Sequence, residues 1–172
     1  RAHIELLRAG ISFAANRGNE AVPLLLAAAR RLEPIDGRLA RQTYLDTLSA
    51  AQFAGRLASG PGARQVAEAA RAAPPAVPPG KDDMLLDGLT VMLTDGYAPA
   101  VPLLRRPVQA YMSEELTMHQ ALRSAWQAAS IAVSLWDDAG WDALTRRHLD
   151  VAREAAALSA LPLALTSRVL VH

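Results

Sequence analysis

Gly18-Asn19-Glu20-Ala21-Val22-Pro23-Leu24-Leu25 is echoed by Gly96 followed by Ala100-Val101-Pro102-Leu103-Leu104, so Ala-Val-Pro-Leu-Leu occurs twice, starting at residues 21 and 100. In both places a glycine precedes the phrase and proline falls close to a helix start, where its missing N–H costs least. Two copies 79 residues apart, set in Ala- and Leu-rich surroundings, predict repeated helical hairpins. The spacing corresponds to two hairpins, with the one between them lacking the phrase. The phrase marks how helices enter a stack and carries no chemistry of its own.

Composition bounds the class. A chain of 172 residues with 51% hydrophobic and 20% charged residues is long enough and apolar enough for a folded domain, which excludes disordered and collagen-like chains. Zero cysteines exclude a disulfide scaffold and any Cys-based zinc site, so a cytoplasmic setting is expected. A net charge of +1 gives no strong field for nucleic acid or anionic lipid, and neither direct nucleic-acid nor membrane binding is expected. Lys81 is the sole lysine among the basic residues, a bias toward arginine that fits high-GC coding. An uncharged stretch such as Ala155 to Ser167 falls short of the ~18 residues of a membrane helix and contains Pro162. The chain starts without Met and stops inside Val169-Leu170-Val171-His172, so a piece of a larger protein is expected.

Outward from the doubled phrase, apolar periodicity and turn residues divide the chain. Ile4, Leu7, Ile11 and Ala14 share one helix face, and a second helix runs from about Glu20, capped by Asn19, to Pro34. Asp36 caps a longer helix carrying Tyr44, Leu48, Ala51 and Gly55, followed by an alanine-rich partner over 63–73. Pro74-Pro75-Ala76-Val77-Pro78-Pro79-Gly80 is a loop between hairpins. Asp82 or Asp83 then caps a helix carrying Leu85, Leu89, Met92 and Leu93. Its partner over about 98–112 should be kinked or ended early by Pro107. Ser113-Glu114-Glu115 opens the longest helix, striped by Leu122, Trp126, Ala129, Val133 and Trp136. Leu144, His148, Val151, Ala155 and Leu158 stripe the next, and a further helix starts near Leu161.

The predicted hairpins span about 3–34, 36–73, 82–112 and 113–158, with the start of another over 160–172 and a Pro-rich loop over 74–81. Gly18, Gly60 or Gly62, Gly96 and Gly140 punctuate the chain at intervals of about 35 to 45 residues, the period of helical-hairpin solenoids. The predicted fold is all-α, a right-handed superhelix of antiparallel helical hairpins with degenerate tetratricopeptide (TPR)-like repeats and about nine helices. The first-helix TPR signature is missing, and the second-helix pattern survives as Ala21, Leu25, Ala28 and Pro34. Open solenoid ends without polar caps predict self-association.

Catalytic motifs are absent from the sequence. Lys81 follows Gly80 but precedes Asp82, which is no phosphate loop, and no nucleophile elbow, His-Glu-x-x-His pair or dinucleotide fingerprint occurs. The cluster Asp82-Asp83-Met84-Leu85-Leu86-Asp87 has two readings. It is either an N-terminal helix cap, with acid at the positive end of the dipole, or a Mg²⁺-diphosphate motif resembling that of all-α terpenoid synthases, with Asp83 and Asp87 sharing a face. Asp137, Asp138 and Asp142 read as turn and cap residues, so no catalytic residue and no metal ligand is assigned. Tyr111, His119, Trp126, Trp136, Trp141 and His148 gather aromatic and imidazole surface in the C-terminal half. These six are either core or the lining of a ligand or partner site. Arg30-Arg31, Arg105-Arg106 and Arg146-Arg147 read as solvated helix surface.

The run from Gly18 through Ala-Val-Pro-Leu-Leu-Leu-Ala-Ala-Ala-Arg-Arg-Leu-Glu to Pro34 belongs to a wider pattern. It is joined by Leu89-Thr90-Val91-Met92-Leu93-Thr94-Asp95-Gly96-Tyr97 leading into Ala100 to Arg106, by Leu135-Trp136-Asp137-Asp138 through Trp141, and by Leu161-Pro162-Leu163-Ala164-Leu165. Together these resemble the helical-repeat region of large ATP-binding LuxR-type transcriptional regulators of actinobacteria, which are MalT-like, STAND-type proteins. The resemblance covers nearly the whole chain and rests on packing and turn residues. It implies a sensor and protein-interaction role without catalysis. It also implies an NTPase domain before this region, where ATP would bind, and a helix-turn-helix domain after it. The implied partners are those two domains and a protein or small-molecule inducer, with no cofactor in this region. The alternatives are a small Mg²⁺-dependent diphosphate enzyme using Asp83 and Asp87, or a free-standing peptide-binding scaffold.

Overall fold

The computed structural model describes residues 18–54 and 60–169, and every regular element among them is helical. In chain order these are α1 (Gly18–Leu32), α2 (Gly37–Ala54), α3 (Ala63–Ala72), α4 (Lys81–Thr94), α5 (Tyr97–Ser113), α6 (Ala125–Ser134), α7 (Asp138–Glu154) and α8 (Leu161–Val169). A π-helical turn over Gln120–Ser124 leads into α6. The all-α expectation holds. The helix expected from Ile4, and Gly55 in the expected stripe of α2, lie outside the described residues. No described helix is long and apolar enough to cross a membrane.

The chain divides into two compact units between Ala100 and Val101. In the first, α1 packs on α2, α2 on α3 and α4, and α3 on α4, so the Pro-rich loop joins two helices in mutual contact. In the second, α6 and its π turn pack on α7, and α7 packs on α8. Leu149, Ala152 and Ala164 form a small core there, with Leu122, Ala160 and Leu161 against it.

The doubled phrase has the same structural meaning twice. Ala21 and Leu25 in α1 are buried, as are Ala100 and Leu104 in α5, while Leu24 and Leu103 are both exposed. The match runs on at the same offset, with Leu32 and Tyr111 both fully buried. It also extends to helices that lack the phrase. In α3 Val66, Ala67 and Ala70 are buried with Glu68 and Arg71 exposed; in α7 His148, Leu149 and Ala152 are buried with Asp150 and Arg153 exposed. Periodicity read from the sequence missed this second correspondence, because only the acid, the second alanine and the arginine are alike in type.

Local chemistry sets the helix boundaries. Asp36 caps α2 by accepting the Leu39 N–H at 2.9 Å. Asp83 reaches back to the Gly80 N–H at 2.9 Å, so its carboxylate closes the first turn of α4. Gly96, at φ +103°, supplies the left-handed residue between α4 and α5.

Several boundaries and stripes differ from expectation. Pro107 does not end α5, which runs on to Ser113 with Pro107 buried. Leu103, whose carbonyl Pro107 deprives of a partner, lies on the exposed side, where water can serve it. Ser113-Glu114-Glu115 does not open the next helix. Thr117 does, with its hydroxyl accepting from Gln120 N at 3.2 Å and its own N–H donating to Gln120 Oε1 at 3.1 Å, a reciprocal capping box. The stripe expected on α6 holds only in part: Ala129 is buried, Leu122 and Trp126 are half-buried, and Val133 and Trp136 are exposed, while Ala121, Ala125, Ala128 and Ala132 are buried beside it. On α7 the expected stripe fails after His148, since the helix stops at Glu154 and leaves Ala155 and Leu158 exposed. Gly140 is buried inside the first turn of α7 rather than in a turn between helices. A Cβ there would lie 2.6 Å from Asp137 Oδ2, the side chain that caps this helix by accepting the Gly140 N–H at 2.8 Å.

Candidate functional site

The six aromatic and imidazole candidates occupy three environments. Tyr111 on α5 and His148 on α7 are fully buried. His119, just before the π turn, Trp126 on α6 and Trp141 on α7 are half-buried. Trp136 stands 88% exposed immediately after α6. The structure ties two of these positions to a common element: Arg147, beside His148, donates to the Tyr111 carbonyl at 3.0 Å and to the Glu114 carbonyl at 2.9 Å. Arg147 thereby fastens α7 to the C-terminal end of α5, where a cation also complements the helix dipole. It is therefore an anchoring residue, not the freely solvated side chain that its arginine pair suggested.

Trp136 owes its exposure to backbone geometry. Its φ is +58°, the left-handed region that costs a residue with a Cβ roughly 1–2 kcal/mol. Trp136 N donates to the Val133 carbonyl at 3.0 Å and Asp137 N to the Ala132 carbonyl at 2.9 Å, a Schellman ending of α6 with tryptophan where glycine is usual. A large apolar ring thus projects from a strained position into solvent. Ala156 ends α7 in the same manner, at φ +48°.

His148 presents the opposite case. Its side chain is fully buried, and no described residue gives either ring nitrogen a hydrogen bond. Burial holds its pKa below the usual 6.5. The Leu122 backbone carbonyl, in the π turn, acts in the opposite sense and is outweighed by burial, although it falls short of a formed hydrogen bond to the ring.

The acidic cluster on α4 is built around a side chain that the sequence reading missed. Arg41 on α2 is buried and donates from Nε to Asp83 Oδ1 at 2.7 Å, from Nη2 to the Asp83 carbonyl at 3.3 Å, and from Nη2 to Asp87 Oδ1. Asp83 and Asp87 do share a helix face, and a guanidinium is what they hold. Burial opposes the charge on Arg41, and hydrogen bonds to Asp87 and Asp83 more than offset it, so the net pKa is raised. Asp83 has its second oxygen on Gly80 N, so it is spent on structure, whereas the Asp87 side chain stays 58% exposed. No group of three or more His, Asp or Glu residues among those described is placed to hold a metal ion. The available signal for Arg41 was its position, one residue after Ala40 and three before Tyr44, inside the buried stripe of α2.

A second polar clasp joins α2 to α1. Tyr44, fully buried, donates its hydroxyl to Glu33. Burial, reinforced by the Glu33 carboxylate, pushes the phenol well above its usual value. Asp142 on α7 receives both Arg146 and Arg168, which ties α8 to α7, and the Arg168 contact holds its carboxyl below the usual range. A shallow surface groove of about 510 Å³ lies in the first unit, lined by Leu26, Arg30, Pro61, Gln65, Glu68 and Ala69. It contains none of the six candidate residues.

Compared with protein-family models, with curated proteins and with solved structures, the chain matches none of them significantly.

Proposed function

We propose that this chain is the sensor and protein-interaction helical-repeat region of a multidomain LuxR-type transcriptional regulator, acting in the cytoplasm. The observation that carries the reading is the internal repeat, in which α1 and α5 both bury the alanine and the last leucine of the five-residue phrase and both expose its proline and first leucine, while the valine is buried in α1 and half-buried in α5. Modular helical hairpins of this kind present extended surface to partners rather than a closed reaction pocket. The exposed ring of Trp136 supplies the aromatic anchor that protein interfaces favour. In this reading the partners are the neighbouring NTPase and helix-turn-helix domains and an inducer, and the repeats stack as a right-handed superhelix. An inducer would shift the equilibrium between two curvatures by no more than its differential affinity for them. Exposed apolar side chains such as Leu24, Leu103 and Trp136 also support self-association.

Reading the coding sequence on both sides tests this. A Walker lysine upstream and a helix-turn-helix downstream are expected, and open reading frames lacking both would overturn the assignment. The isolated chain should neither hydrolyse nucleotide with Mg²⁺ nor release heat with Mg²⁺ and a prenyl diphosphate. The second expectation follows from the engagement of both Asp83 and Asp87 by Arg41.

A further inference from the structure

We propose that His148 is an acid-sensitive latch of the second unit: a neutral imidazole enclosed between α7 and the π-helical turn, whose protonation releases the turn and α6 from α7. The inference is independent of the regulator assignment. It rests first on enclosure, since the ring is fully buried and neither nitrogen has a partner among the described residues. It rests second on the surroundings. The elements packed on α7 are the π turn, α6 and α8, and Arg147 adds the end of α5.

Their ionisable groups leave the ring without a counter-charge. Between Ala125 and Ser134, α6 carries none at all. Arg123 lies in the π turn, with His119 just before it. On α8 there is Arg168, already held by Asp142, and on α5 there are Arg105, Arg106 and the buried Tyr111. Glu114 and Glu115 follow α5. On α7 itself, Asp138, Asp142, Arg146, Arg147, Asp150, Arg153 and Glu154 all stand at positions that are exposed or only half-buried. None of these charges perturbs the ring; only burial and the Leu122 carbonyl act on it. A proton taken up in place would be a buried cation with no counter-charge and only the Leu122 carbonyl as a nearby acceptor.

The element holding the ring in is also the least regular one nearby. The π turn closes with an Ala125 N–H to Gln120 carbonyl bond, one residue wider than an α-turn, and such single turns are uncommon in helices. Swinging Leu122 away from α7 would let water or solvent anions reach the imidazole.

The sign follows from linkage. An opened or unfolded second unit binds a proton at His148 near pH 6.5, and the closed unit does so only at lower pH. Through that window the open state holds the extra proton, so stability is complete above pH 6.5 and declines as the pH falls.

All three tryptophans, Trp126, Trp136 and Trp141, lie in the second unit, so tryptophan fluorescence of the full chain reports this unit alone. Denaturant titrations at pH 8, 7, 6 and 5 should show its opening constant rising by up to about tenfold per pH unit below 6.5. His148→Val, which installs the residue found at the matching Val66, should remove that component. Nitrogen-15 spectra of the folded wild type should show the His148 ring still neutral at pH 6. An unchanged pH slope in His148→Val overturns the latch, as does a His148 ring that titrates at 6.5 or above in the folded chain. If the variant does not fold, the ring titration alone decides.

Discussion

Arg41 in the first unit and His148 in the second are both ionisable, both buried and both on helix faces otherwise given to apolar or small residues, yet the two units accommodate them in opposite ways. Arg41 arrives with its counter-charges, two carboxylates and a main-chain carbonyl from one turn of α4. His148 arrives with none. A guanidinium cannot discard its proton at any physiological pH, so it is buried only where the partners are supplied. An imidazole can discard its proton, and so it tolerates an apolar site at neutral pH. The first unit is therefore held by a fixed ion cluster, and the second by packing that depends on a protonation state.

The largest test of this contrast removes the partner from the fixed cluster. Arg41→Ala leaves Asp83 nearly buried without its cation and should cost about 3–5 kcal/mol. The loss should appear in the far-ultraviolet unfolding transition of the first unit while tryptophan fluorescence, which reads the second, keeps its midpoint. A fluorescence midpoint that moves by as much would show that the two units unfold as one, and the contrast would then be between sites and not between units.

A smaller effect comes from transplanting the orphan. Val66 and His148 stand at matching positions of α3 and α7, so Val66→His should place an unpartnered imidazole in the first unit. A destabilisation of about 1–3 kcal/mol at pH 8 is expected, the cost of burying unsatisfied polar atoms. Below pH 6.5 the loss should grow, giving the first unit the acid dependence of the second. If the variant is acid-insensitive, a local acceptor has been found for the ring and the matching of the two helices fails in its chemistry.

What was legible in the sequence differs between the units for physical reasons. In α1 and α5 the buried positions are an alanine two residues before a proline and a leucine two residues after it, and one copy predicts the other. The cap at Asp36 was equally legible, because capping depends on a few adjacent residues, whereas at α4 the N-cap is Gly80 and Asp83, expected as a cap, lies three residues further on and reaches back to it. In α6 the largest side chains were a poor guide to the buried face. The helix buries alanines, which allow close approach to a neighbour, and the π turn adds a residue that rotates everything after Ser124 relative to what precedes it. The true start of the helix leading into α6 was written as Thr-x-x-Gln at 117–120 and could have been found by its capping-box pattern. Arg41 was not legible as a site, because its carboxylates lie 42 and 46 residues away and periodicity does not see tertiary partners. The acidic triplet was visible for the same reason that it misleads: local spacing tells that Asp83 and Asp87 share a face, but not what faces them.

Trp136 gives the smallest expected effect and the one that best separates folding from function. Its left-handed backbone is a position that glycine occupies without strain, and its ring is almost wholly in solvent, so little packing is lost by removing it. Trp136→Gly should therefore leave the second unit as stable as before or more stable by up to about 1 kcal/mol, read as an upward shift of its fluorescence midpoint from Trp126 and Trp141. A loss of stability beyond that range would mean the ring packs within the unit, and its role as an exposed anchor would be withdrawn. With stability retained, any loss of self-association measured by sedimentation isolates the contribution of the ring. A tryptophan kept at strain in the place of a glycine, with no packing to repay it inside its own unit, is the arrangement expected of a contact that is completed by another surface.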